Sequence, residues 1–147
     1  MNTGPKPISD TISFALARVG GAHRSLASRM LAEVGLHVGQ EMLLQILWLD
    51  DKLTQSELAE HLCIQLATAN KMIQRMERAG WITKCEDEKD GRVSRVQLTQ
   101  NGRDLQAATE EVWERLEQRT FANMTLEEQA TLRRLLHQLY ENLSEED

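Results

Sequence analysis

The chain has 147 residues, with 17 Lys and Arg against 23 Asp and Glu and a net charge of −6 at neutral pH. This length suits one domain, and no run of about 18 apolar residues could cross a membrane as a helix. The segment MNTGPKPISD lacks the apolar centre of a signal peptide, and two cysteines give no disulfide framework. We therefore expect a cytoplasmic protein without a membrane segment.

Two helices are predicted before residue 50. The first covers about residues 9–34 and ends at Gly35. Its apolar stripe consists of Ile12, Leu16, Val19, Leu26 and Met30. The second covers about residues 37–49, with Met42, Leu43, Ile46 and Leu47 as its apolar residues. In the turn that follows, we expect the carboxylates of Asp50 and Asp51 to be solvated rather than to hold a metal ion.

A pair of short helices joined by a tight turn comes next. The segment Thr54–Glu57 matches a capping box, in which the Thr hydroxyl accepts from one free amide and the Glu reaches back to another. A helix should therefore start at Thr54, with Leu58, Ala59 and Leu62 on its buried side. After a turn at 63–65, a second helix should run from about Leu66 to Gly80, where a left-handed glycine ends it.

This second helix has two contrasting faces. One face is an apolar stripe formed by Ala69, Met72, Ile73 and Met76. The other carries small, amide and cationic side chains, namely Ala67, Asn70, Lys71, Gln74 and Arg78, flanked by Thr68 and Arg75. Asn and Gln can read adenine, whereas Lys and Arg contact guanine or phosphate. The second face therefore suits a DNA major groove.

A charged hairpin is predicted directly after this helix. Two β-prone runs, Trp81–Cys85 and Val93–Leu98, flank the polar tip Glu86–Arg92. By composition alone the tip is an ordinary solvated loop. Its position after a recognition-type helix favours a wing, whose Arg92 can reach an adjacent minor groove.

The negative net charge does not argue against DNA binding, because the charge is unevenly distributed. Residues 62–95 hold 7 Lys or Arg against 5 Asp or Glu, whereas the remainder holds 10 against 18. Contact with phosphate is local, so a basic surface on an acidic protein can bind DNA in a salt-dependent manner.

Two further helices are predicted after the hairpin. The first covers about residues 101–123, with Leu105, Val112 and Leu116 on one side. A second capping box, Thr125–Glu128, opens the last helix. The stripe of that last helix consists of Leu132, Leu136, Leu139 and Leu143. The pattern leaves open whether the terminal helices fold on each other, on a second copy of the chain, or on both.

The runs LTQSELAEHL, ATANKMIQRMERAGWI and DEKDGRVSRVQLTQNG resemble the MarR family of bacterial transcriptional regulators. That family has Asp-x-Arg-Asp-x-Arg in its wing, followed by Leu-Thr-x-x-Gly. Here Asp87, Lys89, Asp90, Arg92 and residues 98–102 take those places. The resemblance implies a mainly α protein with a small β-hairpin, that is, a winged helix-turn-helix at 36–99 flanked by dimerisation helices at 1–35 and 100–147.

The resemblance also implies a function. It indicates a homodimeric repressor that binds a pseudo-palindromic operator in double-stranded DNA and is released by a small-molecule effector, often an aromatic anion. The sequence predicts no cofactor and no metal site, and the residues that would bind an effector are unknown. The residues expected to contact DNA are Ser56, Gln65, Ala67, Thr68, Asn70, Lys71, Gln74, Arg75, Lys89, Asp90 and Arg92.

Three residues depart from the family pattern. Lys89 and Lys71 stand where Arg is common, and Gln65 replaces a common Ser or Thr cap. A lysine keeps the charge but loses the bidentate fork of arginine. These departures bear on which DNA sequence is bound more than on whether DNA is bound.

Two other classes of function have weaker support in the sequence. The chain lacks a Gly-rich phosphate loop, His-Glu-x-x-His and Gly-x-Ser-x-Gly, and its four His are scattered, so no enzyme is predicted. His61 and Cys63 are the closest His and Cys pair, and a zinc site would need further ligands. The remaining alternative is a winged-helix module that binds protein instead of DNA.

Overall fold

The computed structural model describes residues 4–144. Its elements in chain order are α1 (Ile12–Ala32), α2 (Gln40–Leu49), β1 (Leu53–Thr54), α3 (Gln55–Leu62), α4 (Leu66–Ala79), β2 (Ile82–Glu86), β3 (Ser94–Leu98), α5 (Gln100–Asp104), α6 (Gln106–Thr120) and α7 (Leu126–Ser144). A short 3-10 helix, Ile8–Asp10, precedes α1. The predicted mainly α fold with a winged helix-turn-helix is confirmed.

The sheet contains one strand more than the predicted hairpin. Strand β3 lies between β1 and β2 and is antiparallel to both. Leu53 pairs with Val96 and Thr54 pairs with Arg95. A strand of two residues is too short to show the alternating pattern by which strands are recognised, and here it runs directly into the cap of α3. The consequence is that the hairpin is joined to the start of α3.

The core lies inside the winged unit, which we define as residues 36–104. It is formed mainly by side chains of α2, α3, α4 and the sheet, and α1 and α6 each close one side of it. Leu43, Leu44, Leu58, Ile73 and Val96 are all fully buried. The apolar stripe predicted on α4 is therefore the surface by which that helix packs.

Local hydrogen bonds account for the ends of the central helices. The Thr54 hydroxyl accepts from the Glu57 amide at 3.1 Å, as the capping box predicted. The other half of that prediction is wrong, because the Glu57 carboxylate lies 3.7 Å from the Arg95 guanidinium instead of capping Thr54. Gly80 ends α4 with φ of 84°, a left-handed conformation, as expected.

The second capping box forms completely. The Thr125 amide donates to the Glu128 carboxylate at 3.0 Å, and the Glu128 amide donates to the Thr125 hydroxyl at 3.1 Å. The hydrogen bond from the Thr125 amide is the main reason that the pKa of Glu128 lies below its usual range.

Three predicted helices have different bounds in the structure. The first begins at Ile12 rather than near residue 9, because the Thr11 side chain caps it by accepting from the Phe14 amide. The second, predicted from residue 37, begins at Gln40, after Gly39 with its positive φ of 99°. The helix predicted at 101–123 is divided into α5 and α6 at Leu105 and ends at Thr120. Asn123 has a left-handed φ of 65°, which a continuing α-helix does not allow.

The terminal helices bury little of their apolar surface. In α1 only Ala27 and Leu31 are buried, and the predicted stripe members Ile12 and Val19 are 85% and 63% exposed. The described part of α7 has no buried residue, although Leu136, Leu139 and Leu143 lie on it as predicted. Helices α6 and α7 also carry exposed carboxylates, among them Glu110, Glu111, Glu114, Glu117, Glu127 and Glu128.

The expectation that Asp51 is solvated is wrong. Its carboxylate accepts from the Leu98 amide at 2.9 Å and from the Arg103 guanidinium at 3.0 Å, which joins the α2–β1 turn to β3 and α5. Asp50, by contrast, is exposed. Residues 4–144 contain no group of three or more His, Cys, Asp and Glu arranged to hold a metal ion. None of the helices described is long and apolar enough to cross a membrane.

Candidate nucleic-acid interface

Helix α4 exposes the polar face that its sequence predicts. Ala69, Ile73 and Met76 are buried, and Met72 is partly buried. Its exposed residues include the predicted Ala67, Thr68, Lys71, Gln74, Arg75 and Arg78. The only acid of the helix, Glu77, lies 3.6 Å from Lys84 of β2, so its charge is balanced by the hairpin. The exposed face of α4 is consequently cationic.

Asn70 differs from the other candidates on this helix. The residue is half-buried, and its Oδ1 atom is buried without a hydrogen-bond partner among the residues described. A buried carboxamide oxygen is turned away from solvent, whereas Lys71 and Gln74 are exposed beside it. That Asn70 reads a base therefore stays a prediction that requires its side chain to reorient.

The turn between α3 and α4 presents the amino-terminal end of α4. Cys63 ends α3 in a left-handed conformation with φ of 55°, and two residues later Gln65 caps α4 by its backbone alone. The side chains of Gln65 and of Ser56, near the start of α3, are both exposed. Free amides at a helix N-terminus attract phosphate, so these positions suit contact with a DNA backbone.

The tip of the hairpin is folded by its own aspartates. Asp87 Oδ2 accepts from the amides of Lys89 at 3.2 Å and Asp90 at 3.0 Å. Asp90 Oδ1 in turn accepts from the Arg92 amide at 3.1 Å. Because a carboxylate repels phosphate, this structural role explains Asp90 in the motif better than contact with DNA does.

Two cations are presented at this tip. The Arg92 side chain is 93% exposed, and its Nε lies 3.3 Å from Asp90 Oδ1. Lys89 is also exposed. The predicted DNA-contacting residues thus lie in three places. Lys89, Asp90 and Arg92 lie at the wing, the predicted residues of α4 lie along that helix, and Ser56 lies on α3.

Sequence reasoning missed one residue of this site, Arg95. Its Nε donates to Asp87 Oδ1 at 2.6 Å, and its Nη1 donates to the Lys52 carbonyl at 3.0 Å. The hydrogen bond to Arg95 is the largest cause of the lowered pKa of Asp87, and the same bond raises the pKa of Arg95. The alternation of β3, which buries Val96 and Leu98, could have placed Arg95 on the opposite face of the strand.

The protein combines a helix-turn-helix that packs on the core, a cationic exposed face on its second helix, and a hairpin with an exposed arginine. These features define a winged-helix DNA-binding protein. A sequence profile of the MarR family matches residues 36–103. The HTH-type transcriptional repressor IacR of Pseudomonas putida is 31% identical over 130 residues, which cover 88% of this chain and 78% of that protein. The chain therefore belongs to the MarR family and is a DNA-binding transcriptional regulator.

Solved structures agree with this assignment at the level of the fold. The structure of Bordetella bronchiseptica BpsR, described as showing how 6-hydroxynicotinic acid regulates its DNA binding, aligns with a TM-score of 0.85 at 23% identity and covers 93% of this chain and 98% of that one. A mutant of E. coli MarR complexed with operator DNA aligns with a TM-score of 0.83 at 22% identity, and the alignment covers 92% of this chain and 99% of that one.

Proposed function

We propose that this protein is a homodimeric repressor that binds a pseudo-palindromic operator and is released by a small molecule. The observation that carries the proposal is the cationic face of α4 beside a wing whose Arg92 is 93% exposed. In this proposal residues 36–99 bind DNA, and residues 1–35 and 100–147 dimerise. The residues that contact DNA are those predicted on α3, α4 and the wing, with Asp90 shaping the wing.

The unburied stripes of the terminal helices support a homodimer. Ile12, Val19, Leu139 and Leu143 are exposed apolar residues at helical spacing, and folding of one chain leaves them in water. A second copy can bury the same stripes by twofold symmetry. Such a dimer would place two α4 helices on half-sites about one helical turn apart, roughly 10 base pairs centre to centre.

A groove between α1 and the loop that joins it to α2 supports an anionic effector. It measures about 550 Å³, and its lining includes Arg24, Arg29 and His37 together with the hydroxyls of Ser25 and Ser28. The report that 6-hydroxynicotinic acid regulates BpsR favours an aromatic acid as the chemical class. The effector must bind the dimer geometry that cannot engage the operator more tightly than the one that can, because equal affinity for both geometries would not shift the equilibrium between them.

The proposal includes no catalytic activity and no cofactor, and it places the protein in the cytoplasm with DNA. Its relatives are named as transcriptional repressors and regulators, which supports a role in regulation rather than catalysis.

Selection of bound sequences from random duplex DNA tests the DNA-binding proposal. We expect a palindrome with half-sites one turn apart, bound with an affinity that falls steeply as salt rises. Arg92→Ala and Lys71→Ala should each weaken DNA binding. A lost base contact should cost about 1–3 kcal/mol, and a lost phosphate contact should reduce the salt dependence of the affinity by about one ion. Arg119→Ala, which removes an exposed cation of α6, serves as the control. Failure to enrich any sequence, with negligible binding at low salt, would instead favour a protein-binding module.

Release of the enriched operator by 6-hydroxynicotinate or salicylate tests the effector proposal. We expect release that Arg24→Gln weakens and that Arg18→Gln, a change on the same helix outside the groove, does not. If neither acid changes operator binding at any concentration, the proposed class of effector is wrong and the DNA-binding proposal still stands.

A further inference from the structure

We propose that Arg95 is a positioning residue for DNA binding: it fixes the wing tip to the body of the winged unit, so that Arg92 is presented to the DNA. Arg95 itself does not contact DNA in this proposal. The inference rests on the proposed function, because it concerns how the same surface engages its operator.

Arg95 links three separate parts of the molecule. Its Nε lies 2.6 Å from Asp87 Oδ1 at the wing tip. Its Nη1 donates to the Lys52 carbonyl, just before β1, at 3.0 Å, and lies 3.7 Å from the Glu57 carboxylate on α3. The side chain is 29% exposed, so most of it is covered by these contacts. The wing is therefore tied both to the sheet and to the first helix of the helix-turn-helix.

From Asp87 the connection continues into the tip. The other carboxylate oxygen of Asp87 accepts from the amides of Lys89 and Asp90. Asp90 then accepts from the amide of Arg92 and from its Nε at 3.3 Å. A continuous series of hydrogen bonds thus runs from the body of the winged unit through Arg95 to the residue predicted to enter the minor groove.

The charges of the hairpin distinguish a positioning role from direct contact with phosphate. The positive charge of Arg95 is opposed by Asp87 and Glu57, and the hydrogen bond to Asp87 is the main reason that its pKa is raised. Lys84 is similarly paired with Glu77. Among residues 4–144, Arg92 is paired only with Asp90, and its side chain is almost fully exposed. Arg92 can therefore exchange its partner for phosphate at little cost, whereas Arg95 would have to leave the contacts that shape the wing.

Anchoring benefits affinity because it orders the wing before binding. A loop that is already held in its bound position loses less conformational freedom when it meets DNA. The wing tip has no apolar side chain among residues 86–92 that could anchor it by burial. The contacts of Arg95 therefore hold the wing tip in place, which apolar packing at the tip does not do.

A double-mutant cycle between Arg95→Met and Arg92→Ala tests the proposal on the enriched operator. Methionine keeps the length of the side chain and removes its charge and its donors. In the parent protein we expect Arg92→Ala to weaken binding about 10-fold and to lower the salt slope by about one. In the Arg95→Met background the same change should cost about 2-fold or less and leave the slope unchanged, because the wing is no longer held in place.

Lys84→Met is the matched control on the same hairpin. It also removes a paired cation, but Lys84 contacts Glu77 on α4 rather than the wing tip. Its effect should multiply with that of Arg92→Ala. Asp87→Asn should reproduce Arg95→Met and add little to it, because both changes remove the same ion pair.

Amide hydrogen exchange without DNA provides a readout that is independent of the proposed function. We expect Arg95→Met to speed exchange at the Lys89, Asp90 and Arg92 amides while the amides of α4 and the melting temperature stay near those of the parent protein. Unchanged exchange at the tip would overturn the anchoring. Fully multiplicative losses, with the salt slope falling by about two in the double variant, would show that Arg95 contacts phosphate directly and would also overturn the proposal.

Discussion

The winged unit and the terminal helices both carry apolar stripes at helical spacing, but the stripe of α4 is buried and those of the terminal helices are largely exposed. On α4 the stripe is buried in the core of the same chain, with Ile73 and Met76 fully enclosed. On α7 the leucines at helical spacing remain exposed, and on α1 only Ala27 and Leu31 are buried. A stripe therefore shows that a helix needs a partner surface, and it does not show whether that surface belongs to the same molecule.

The largest expected effect comes from charging the exposed stripes. Val19→Glu combined with Leu139→Glu should dissociate the dimer, and operator affinity should fall by about 100-fold or more, because two linked half-site contacts become separate. Light scattering and operator titration measure the two results. Leu49→Glu, at a residue that is 79% exposed on α2, should change neither. A double variant that remained dimeric would show that the dimer uses another surface.

A smaller effect is expected inside the winged unit, at the junction between α5 and the residue that follows the end of α4. A Cβ atom at Gly102 would lie 2.0 Å from the Trp81 carbonyl oxygen, which is backbone and cannot move aside freely. Gly102→Ala should therefore cost about 1–3 kcal/mol or more in the free energy of unfolding, measured by urea denaturation. Gly91→Ala, whose new atom would be 3.7 Å from its nearest neighbour, should be close to neutral. Equal stability of the two variants would mean that this junction is loosely packed.

Asp51→Ala should destabilise the winged unit by about 1–3 kcal/mol, because the half-buried Leu98 amide and the Arg103 guanidinium lose their acceptor. Its exposed neighbour provides the matched control, and Asp50→Ala should stay within about 0.5 kcal/mol of the parent protein. Thermal unfolding of both variants at one protein concentration makes the comparison. If Asp51→Ala and Asp50→Ala had similar melting temperatures, the hydrogen bonds of Asp51 would not contribute to stability.

The smallest effect is expected at Glu41, a carboxylate that is only 5% exposed at the start of α2. Burial raises its pKa, although the hydrogen bond from the Gly39 amide opposes that shift. The charged form is thus disfavoured by folding, so stability is lost as the pH rises above the pKa of the unfolded chain. Glu41→Gln keeps an acceptor for Gly39 and should raise the melting temperature by about 2 °C at pH 7. That gain should vanish below the ordinary pKa of a glutamate, and a gain independent of pH would contradict this account.

Local patterns were sufficient to predict most of the fold, whereas the contacts of the predicted site residues with DNA stay predictions. The helix-turn-helix, the hairpin and the end of α4 at Gly80 each follow from a pattern within one continuous stretch of the chain. The roles of Arg95 and Asp51 do not, because each depends on the register of β3 against β1 or on turns that are distant in sequence. The break at Leu105 and the exposure of the α7 leucines likewise depend on packing rather than on local propensity.

The exposed carboxylates of α6 and α7 have a kinetic consequence. They concentrate negative charge on the terminal helices, whereas the balance of charge over residues 62–95 is positive. A polyanion is repelled by the carboxylates of these helices and attracted by the cations of α4 and the wing, so encounters in which the cationic surface meets DNA first are favoured. Added salt shortens the reach of both fields, and the rate of productive encounters falls with it.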